Sequence, residues 1–303
     1  MTLPPGRTAT ARVPATSANL GPGFDACGLA LSWHDEVTAT TTDGEVGVEV
    51  TGEGAGDLPN DDRHLVIRTI QHGLADLGAT AAGLHLVAHN TIPHGRGLGS
   101  SAAALVAGLA IAWGLARPEP TPPDPEWLVS TAAALEGHPD NVAAAALGGY
   151  TIAWTVGAGA ARAVSLPVAD QVCALVLVPE EKLATRDARG ALPEHVPHTD
   201  AARNAGRAAL LTHALTAAPD LLLAATEDRL HQHPRATRMP KSYGLVERLR
   251  EAGHAAVISG AGPTVLVLGE RASLASLADA GVDGFRPRLL EVGRGVAVTT
   301  GQS

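Results

Sequence analysis

The stretch GRGLGSSAAALVAGLAIAWGLA, Gly95 to Ala116, decides how this chain is read. Three glycines and two serines run directly into a nearly continuous apolar segment. A helix N-terminus presents unpaired N–H groups and a partial positive charge, so it suits a phosphate. Gly97 and Gly99 let backbone amides approach a ligand with no Cβ in the way. Ser100 and Ser101 add hydroxyls at the first turn, and the alanines behind them allow tight packing. The stretch is not a P-loop, which requires a lysine here. Nor is it a nucleophile elbow, since alanines follow Ser101. Read alone, it is equally consistent with plain helix capping.

Two further glycine loops flank it in the chain. VPATSANLGPGFDACG (13–28) places Thr16, Ser17 and Asn19 before a Gly-Pro-Gly turn, then Asp25. Polar groups on a Gly-bounded loop suit a small polar ligand. ISGAGPT (258–264) lies between apolar strands, where Gly260 and Gly262 form either an anion nest or a hairpin bend.

The rest of the chain sets bounds on function. Its 303 residues suffice for one large domain or two ordinary ones. A net charge of −9 with no Lys/Arg run argues against a nucleic-acid partner. Lys182 and Lys241 are the only lysines, so lysine catalysis has few candidates. Cys27 and Cys173 lack metal or redox spacing and read as small buried residues. His231 and His233 in LHQHPR have the spacing to meet a metal only on an extended segment. No signal-peptide core begins the sequence, and the run Ala102–Ala116 is too short to span a membrane. A soluble cytoplasmic protein is the expectation.

Periodicity predicts strands over TATARV and GLHLVAHNTI, and a break into a polar loop over Pro14–Phe24. EVTATTTDGEVGVEVTGEG alternates around Asp43-Gly44 and predicts a hairpin. Helices are expected over Leu65–Leu77, behind the opening loop, Trp127–Leu135, from Val142, Ala201–Leu215, Leu221–Leu230, Tyr243–Ala252 and Ser273–Ala280. QVCALVLVP reads as a buried strand. Gly157–Gly159 is the candidate joint between domains 1–157 and 158–303. Strands and helices mix without strict alternation, which favours an α+β class.

Taken together and in this order, VPATSANLGPGFDACGLAL, IPHGRGLGSSAAA and VISGAGPTVLVL resemble the three motifs of the GHMP kinases. EGHPDNVAAAALGG, ATRDARGALP and LHQHPRA resemble segments of the branch of that superfamily that phosphorylates L-homoserine. The resemblance implies an N-terminal ATP-binding domain with a βαβ unit and a ferredoxin-like C-terminal domain. It implies ATP and Mg²⁺ as requirements, L-homoserine as the small-molecule substrate, and a place in threonine biosynthesis. A homodimer is a further expectation from it.

By the same resemblance, Pro93, His94, Gly95, Arg96, Gly97, Leu98, Gly99, Ser100, Ser101, Ala102 and Ala103 wrap the triphosphate, together with Gly260 and Gly262. Ser101 and Glu136 are implied as Mg²⁺ ligands. Asn19 and Asp25 are implied at the amino and hydroxyl end of the substrate, Arg189 and Arg235 at its carboxylate, and His138 and Asp140 as further substrate residues. A guanidinium binds a carboxylate through two parallel bonds, which lysine cannot reproduce. Arg186 and Arg238 lie nearby as alternatives. Asn141 stands where some relatives place an aspartate base; it orients a hydroxyl but cannot take its proton. His138 is the reserve base. Two other readings compete: a mevalonate-type kinase, whose substrate carries no ammonium, and a catalytically silent nucleotide-binding protein.

Overall fold

The computed structural model describes residues 1–117, 121–157, 159–183 and 190–302. Strands β1 (Arg7–Asn19) and β2 (Gly23–Thr42) form a long antiparallel pair that carries the first sheet. Period-two burial along both puts Ala9, Ala11, Val37 and Ala39 on the core face. On the other face Thr8 pairs with Thr40 and Thr10 with Thr38 through their hydroxyls, at 3.0 and 2.8 Å. The segment Pro14–Phe24 was expected as a loop, yet it is strand up to Asn19 and again from Gly23. Register shifts at Pro14/Ala15 and Ala18/Asn19 accommodate the proline and the turn without ending the pairing.

The expected hairpin around Asp43-Gly44 does not form. β3 (Gly47–Gly52) pairs in parallel with β4 (Gly83–Asn90), and β4 lies between it and β2. Alternation marks a strand but does not name its neighbour. Helix α1 (Leu65–Asp76) makes the crossover from β3 to β4, which is the expected βαβ unit. The sheet order is β11-β1-β2-β4-β3, and β5 (Tyr150–Val156) and β6 (Ala160–Leu166) branch from β2 as an antiparallel pair. The candidate joint at Gly157–Gly159 thus separates two strands of one hairpin. The passage to the second sheet comes after Leu166, and β11 (Ala297–Gln302) returns to pair with β1.

Three further helices cover this sheet: α2 (Ser100–Ala116), α3 (Pro125–Glu136) and α4 (Asp140–Leu147). α2 is buried nearly all round, which its small residues permit. A Cβ at Gly108 would crowd Thr69 of α1, and one at Gly114 would press on Ala9 of β1. Asp124 caps α3 by accepting from the Trp127 N–H at 2.8 Å, with Pro125 opening the helix. Left-handed Gly137 closes it, φ 92°.

The second sheet has β7 (Val172–Pro179), β8 (Ala255–Ile258), β9 (Val265–Glu270) and β10 (Phe285–Leu290) in the order β10-β7-β9-β8, all antiparallel. With α5 (His198–Thr216), α6 (Pro240–Glu251) and α7 (Arg271–Ala280) this is the ferredoxin-like arrangement. Every residue of β7 is buried because the strand lies between two cores. Val172, Ala174, Val176 and Val178 join the main core, and Cys173, Leu175 and Leu177 join the smaller one. The helix expected over Leu221–Leu230 stops at Ala225. Asp228 ends it by accepting from the N–H groups of Leu230, His231 and Gln232, which starts the short helix Gln232–Arg235. Among the described residues no helix is long and apolar enough to cross a membrane.

Candidate active site

The three glycine loops meet at the N-terminus of α2. Gly95, Gly97 and Gly99 all have positive φ (66°, 75° and 68°), and Gly99 caps the helix in the left-handed region. A Cβ on Gly97 would strike the Ser259 carbonyl, and one on Gly99 would strike the Thr16 hydroxyl. Glycine is therefore required by close approach as well as by φ. The loops are tied mainly through the backbone: Thr16 N to Leu98 O (3.1 Å), Gly260 N to Ala18 O (3.0 Å) and Thr264 N to Arg96 O (3.2 Å). Ser259 Oγ bridges Ser17 Oγ (2.8 Å) and the Gly97 carbonyl (2.6 Å). Asn19 Nδ2 donates to the Gly260 carbonyl at 2.8 Å, while Asn19 Oδ1 accepts from the Asp25 N–H at 2.9 Å.

One cleft gathers Asn19, Asp25, Gly95, Gly97, Gly99, Ser100, Ser101, Glu136, His138, Asp140, Asn141, Arg235 and Gly260. Asn19, Leu20 and Asp25 hold positive φ of 70°, 49° and 55°, a concentration of unfavourable backbone at the cleft wall. Ser101 Oγ donates to Glu136 Oε2 at 2.8 Å, so the start of α2 and the end of α3 share one oxygen pair. Thr16 Oγ1 donates to Asn141 Oδ1 at 2.8 Å, which fixes the amide. Buried Asp140 accepts from the Asn141 N–H at 2.8 Å and lies 2.7 Å from His138 Nδ1. A carboxylate at that distance accepts the hydrogen of Nδ1 and so orients the ring.

Other sequence-derived candidates sit at the edge of the cleft or behind it. Arg96 turns its guanidinium away, donating to the carbonyls of Pro179 (3.0 Å) and Glu180 (2.9 Å), so it clamps the loop to β7. Pro93, Leu98 and Ala102 are buried behind the loop and helix, while Ala103 lines a second cavity beside it. Gly262, φ 85°, turns toward Met239. Arg238 lines a separate pocket with Lys182 and Lys241. Arg186 and Arg189 lie outside the described residues. His231 is buried among protein groups, and no cluster of three or more His, Cys, Asp or Glu able to hold a metal occurs among the described residues.

A second cavity, missed by sequence reasoning, opens beside the same helix end. It shares Ser100 and Ser101 with the cleft; its apolar walls include Val13, Val37, Leu58, Leu65, Val66 and Ala103, and Asp35, Arg63, His64, Asn90 and His94 also line it. Both ring nitrogens of buried His64 lack a hydrogen-bond partner there. Burial holds the His64 pKa below the ordinary histidine value, so the ring is neutral, with one donor and one acceptor. A single histidine ahead of an apolar helix carries no pattern that would have announced it.

A helix N-terminus between a polar cleft and an apolar slot has the form expected of a nucleotide-dependent phosphotransferase site. The GHMP kinases N terminal domain matches residues 64–149, and the GHMP kinases C terminal domain matches residues 202–283. Homoserine kinase of Streptomyces avermitilis is 51% identical over 288 residues, covering 95% of this chain and 94% of that one. Homoserine kinase of Mycolicibacterium vanbaalenii is 51% identical over 306 residues, covering 99% and 98%. The crystal structure of homoserine kinase from Cytophaga hutchinsonii superposes with a TM-score of 0.83 at 26% identity, covering 96% and 97%. The chain belongs to the homoserine kinase family of the GHMP kinases.

Proposed function

We propose that this chain transfers the γ-phosphoryl group of ATP to the side-chain hydroxyl of L-homoserine, giving O-phospho-L-homoserine and ADP for threonine biosynthesis. One observation carries the reading. The N-terminus of α2, with Ser100 and Ser101, opens into the same cleft as Asp25, Asn141 and Arg235. Phosphate-binding groups and amino-acid-binding groups therefore face one another across a single space. The apolar cavity beyond Ser100 and Ser101 receives the nucleobase, where neutral His64 offers a donor and an acceptor to its edge.

The backbone amides of 97–101 cradle the phosphates, and the helix dipole favours their charge. Asp25 receives the ammonium group of homoserine, since a partly desolvated cation requires an anionic partner. Arg235 and Arg189 take its carboxylate in a charge-assisted fork. Asn141, held by Thr16, orients the hydroxyl toward the phosphoryl group. A loose transition state asks little of a base, so the proton passes to a phosphate oxygen or water.

The Ser101–Glu136 pair fits Mg²⁺. It offers one carboxylate and one hydroxyl, and Mg²⁺ commonly takes one or two carboxylates and completes its shell with phosphates and water. When bound, the ion neutralises charge on the β- and γ-phosphate oxygens.

The deciding assay measures ATP consumption with L-homoserine, mevalonate, galactose and shikimate in turn. Turnover confined to L-homoserine is expected. Turnover with another acceptor and none with homoserine overturns the proposal.

A further inference from the structure

Arg235 is 1% exposed and sits at the end of the short helix Gln232–Arg235. Its Nη1 lies 3.1 Å from His231 Nδ1. The other nitrogen of that ring, Nε2, lies 2.8 Å from the carbonyl oxygen of Gly21. A carbonyl only accepts, so Nε2 carries the hydrogen and Nδ1 keeps its lone pair for the guanidinium. Burial pushes the His231 pKa down and holds the ring in this neutral form. The ring also stacks on Phe24, centroids 5.0 Å apart and planes 29° apart, and the Arg235 guanidinium lies 5.2 Å from the same Phe24 ring. Asp228, 3.8 Å from Nε2, fixes the backbone of this turn.

One imidazole thus joins the turn between β1 and β2 to an arginine over two hundred residues later in the chain. A brace for that turn would need only the bond to Gly21. The second nitrogen does something else: it gives a cation a neutral acceptor without neutralising it. A protonated or cationic side chain in this place would push the guanidinium away.

From this geometry we infer that His231 is a positioning residue for recognition of the substrate carboxylate, setting the plane of Arg235 by accepting from its Nη1. The inference rests on the proposed reading of Arg235 as a carboxylate ligand. With the acceptor removed, Arg235 remains present and charged but loses the bond to Nδ1 that sets its plane.

The test separates the two ring nitrogens. In His231→Asn the amide oxygen can stand where Nδ1 stood, which keeps the acceptor and loses the bond to Gly21. In His231→Gln the longer amide reaches the Gly21 carbonyl and loses the acceptor. His231→Phe keeps ring stacking and loses both bonds. The homoserine KM is measured for each beside Arg235→Ala, with the ATP KM and Tm as controls. We expect Gln and Phe to raise the homoserine KM about tenfold or more, from a lost bond to a charged group, and Asn to recover most of that loss. The ATP KM stays within about twofold of wild type in all three.

If Gln restores the homoserine KM and Asn does not, or if all three raise it equally, His231 is only a brace and the inference fails. It fails too if none of the three alters that KM while Arg235→Ala does, an outcome that leaves the carboxylate reading standing. An unchanged KM in Arg235→Ala removes that reading and the inference together. Should Phe not fold, the comparison of Asn with Gln decides alone.

Discussion

Gly95 and Gly97 offer a matched pair of substitutions, because both have positive φ but only one is crowded. An alanine at Gly95 would meet nothing nearer than the Lys182 side chain, 3.7 Å away. Its cost is the left-handed backbone alone, about 1 kcal/mol. An alanine at Gly97 would drive into the Ser259 carbonyl and lie within 2.8 and 2.9 Å of the backbone oxygen and nitrogen of Gly262. Backbone cannot swing aside as a side chain can, so overpacking adds about 1–3 kcal/mol. At roughly 2–4 °C per kcal/mol for a chain of this size, Gly95→Ala lowers Tm by about 2–4 °C and Gly97→Ala by at least about twice that. The KM for ATP separates them further. Moving the loop away from Ser259 and Gly262 shifts amides that cradle phosphate, and the loss of one charge-assisted bond raises KM about tenfold or more. Gly95→Ala should change it much less. Calorimetry and ATP titrations on both variants provide the comparison. Equal losses of Tm with equal ATP KM values would refute the claim that contact between the second and third glycine loops shapes the phosphate site.

Ser101→Ala and Glu136→Gln should each lower kcat and raise the Mg²⁺ concentration for half-maximal rate several-fold; wild-type Mg²⁺ titration curves in both would remove the metal assignment. His138→Gln should keep the acidic limb of the pH–rate profile, because the reaction asks little of a base; loss of that limb would make His138 the base. Glu227 is a pH-dependent stabiliser. Burial alone would raise its pKa, but hydrogen bonds from Arg203, Arg207 and Arg229 outweigh this and hold it at about 2, below the ordinary 4.5. The stability it contributes is present above pH 4.5 and is lost as pH falls toward 2. The Tm deficit of Glu227→Gln at pH 7 should therefore shrink through that window, and a deficit independent of pH would contradict the assignment.

The site was legible in the chain where its chemistry depends on backbone freedom. A glycine required by φ or by close approach leaves its identity in the sequence, so the loops at Gly97, Gly99 and Gly260 could be found as a set. Glu136, Asp140 and Asn141 came only from the resemblance of EGHPDN to the family's segment, and the fold places them beside the turn that ends α3 and starts α4. Strand partners were not legible. β3 alternates like half of a hairpin, yet α1 separates it from β4 in the chain and the two strands pair in parallel, which alternation does not display. The proline at 14 and the glycine at 23 read as loop, because a sequence does not display the register shifts that keep such residues inside a strand; only Leu20 to Pro22 form the turn.

Single histidines were least legible of all. The sequence sets His138 and His231 in motifs and leaves His64 unmarked, and for none of them does it show the environment that the fold supplies. His138 is oriented by a buried carboxylate, His64 is left without partners beside a cavity, and His231 is bonded on both nitrogens. What an imidazole does depends on which nitrogen carries its hydrogen, and that is set by a partner on another element: Gly21 lies 210 residues from His231. The glycine motifs are readable because a positive φ is a local requirement on each residue. The hydrogen bonds of His231 that the proposal assigns to acceptor discrimination join distant segments, and they exist only once β1, β2 and the Asp228 turn have packed together.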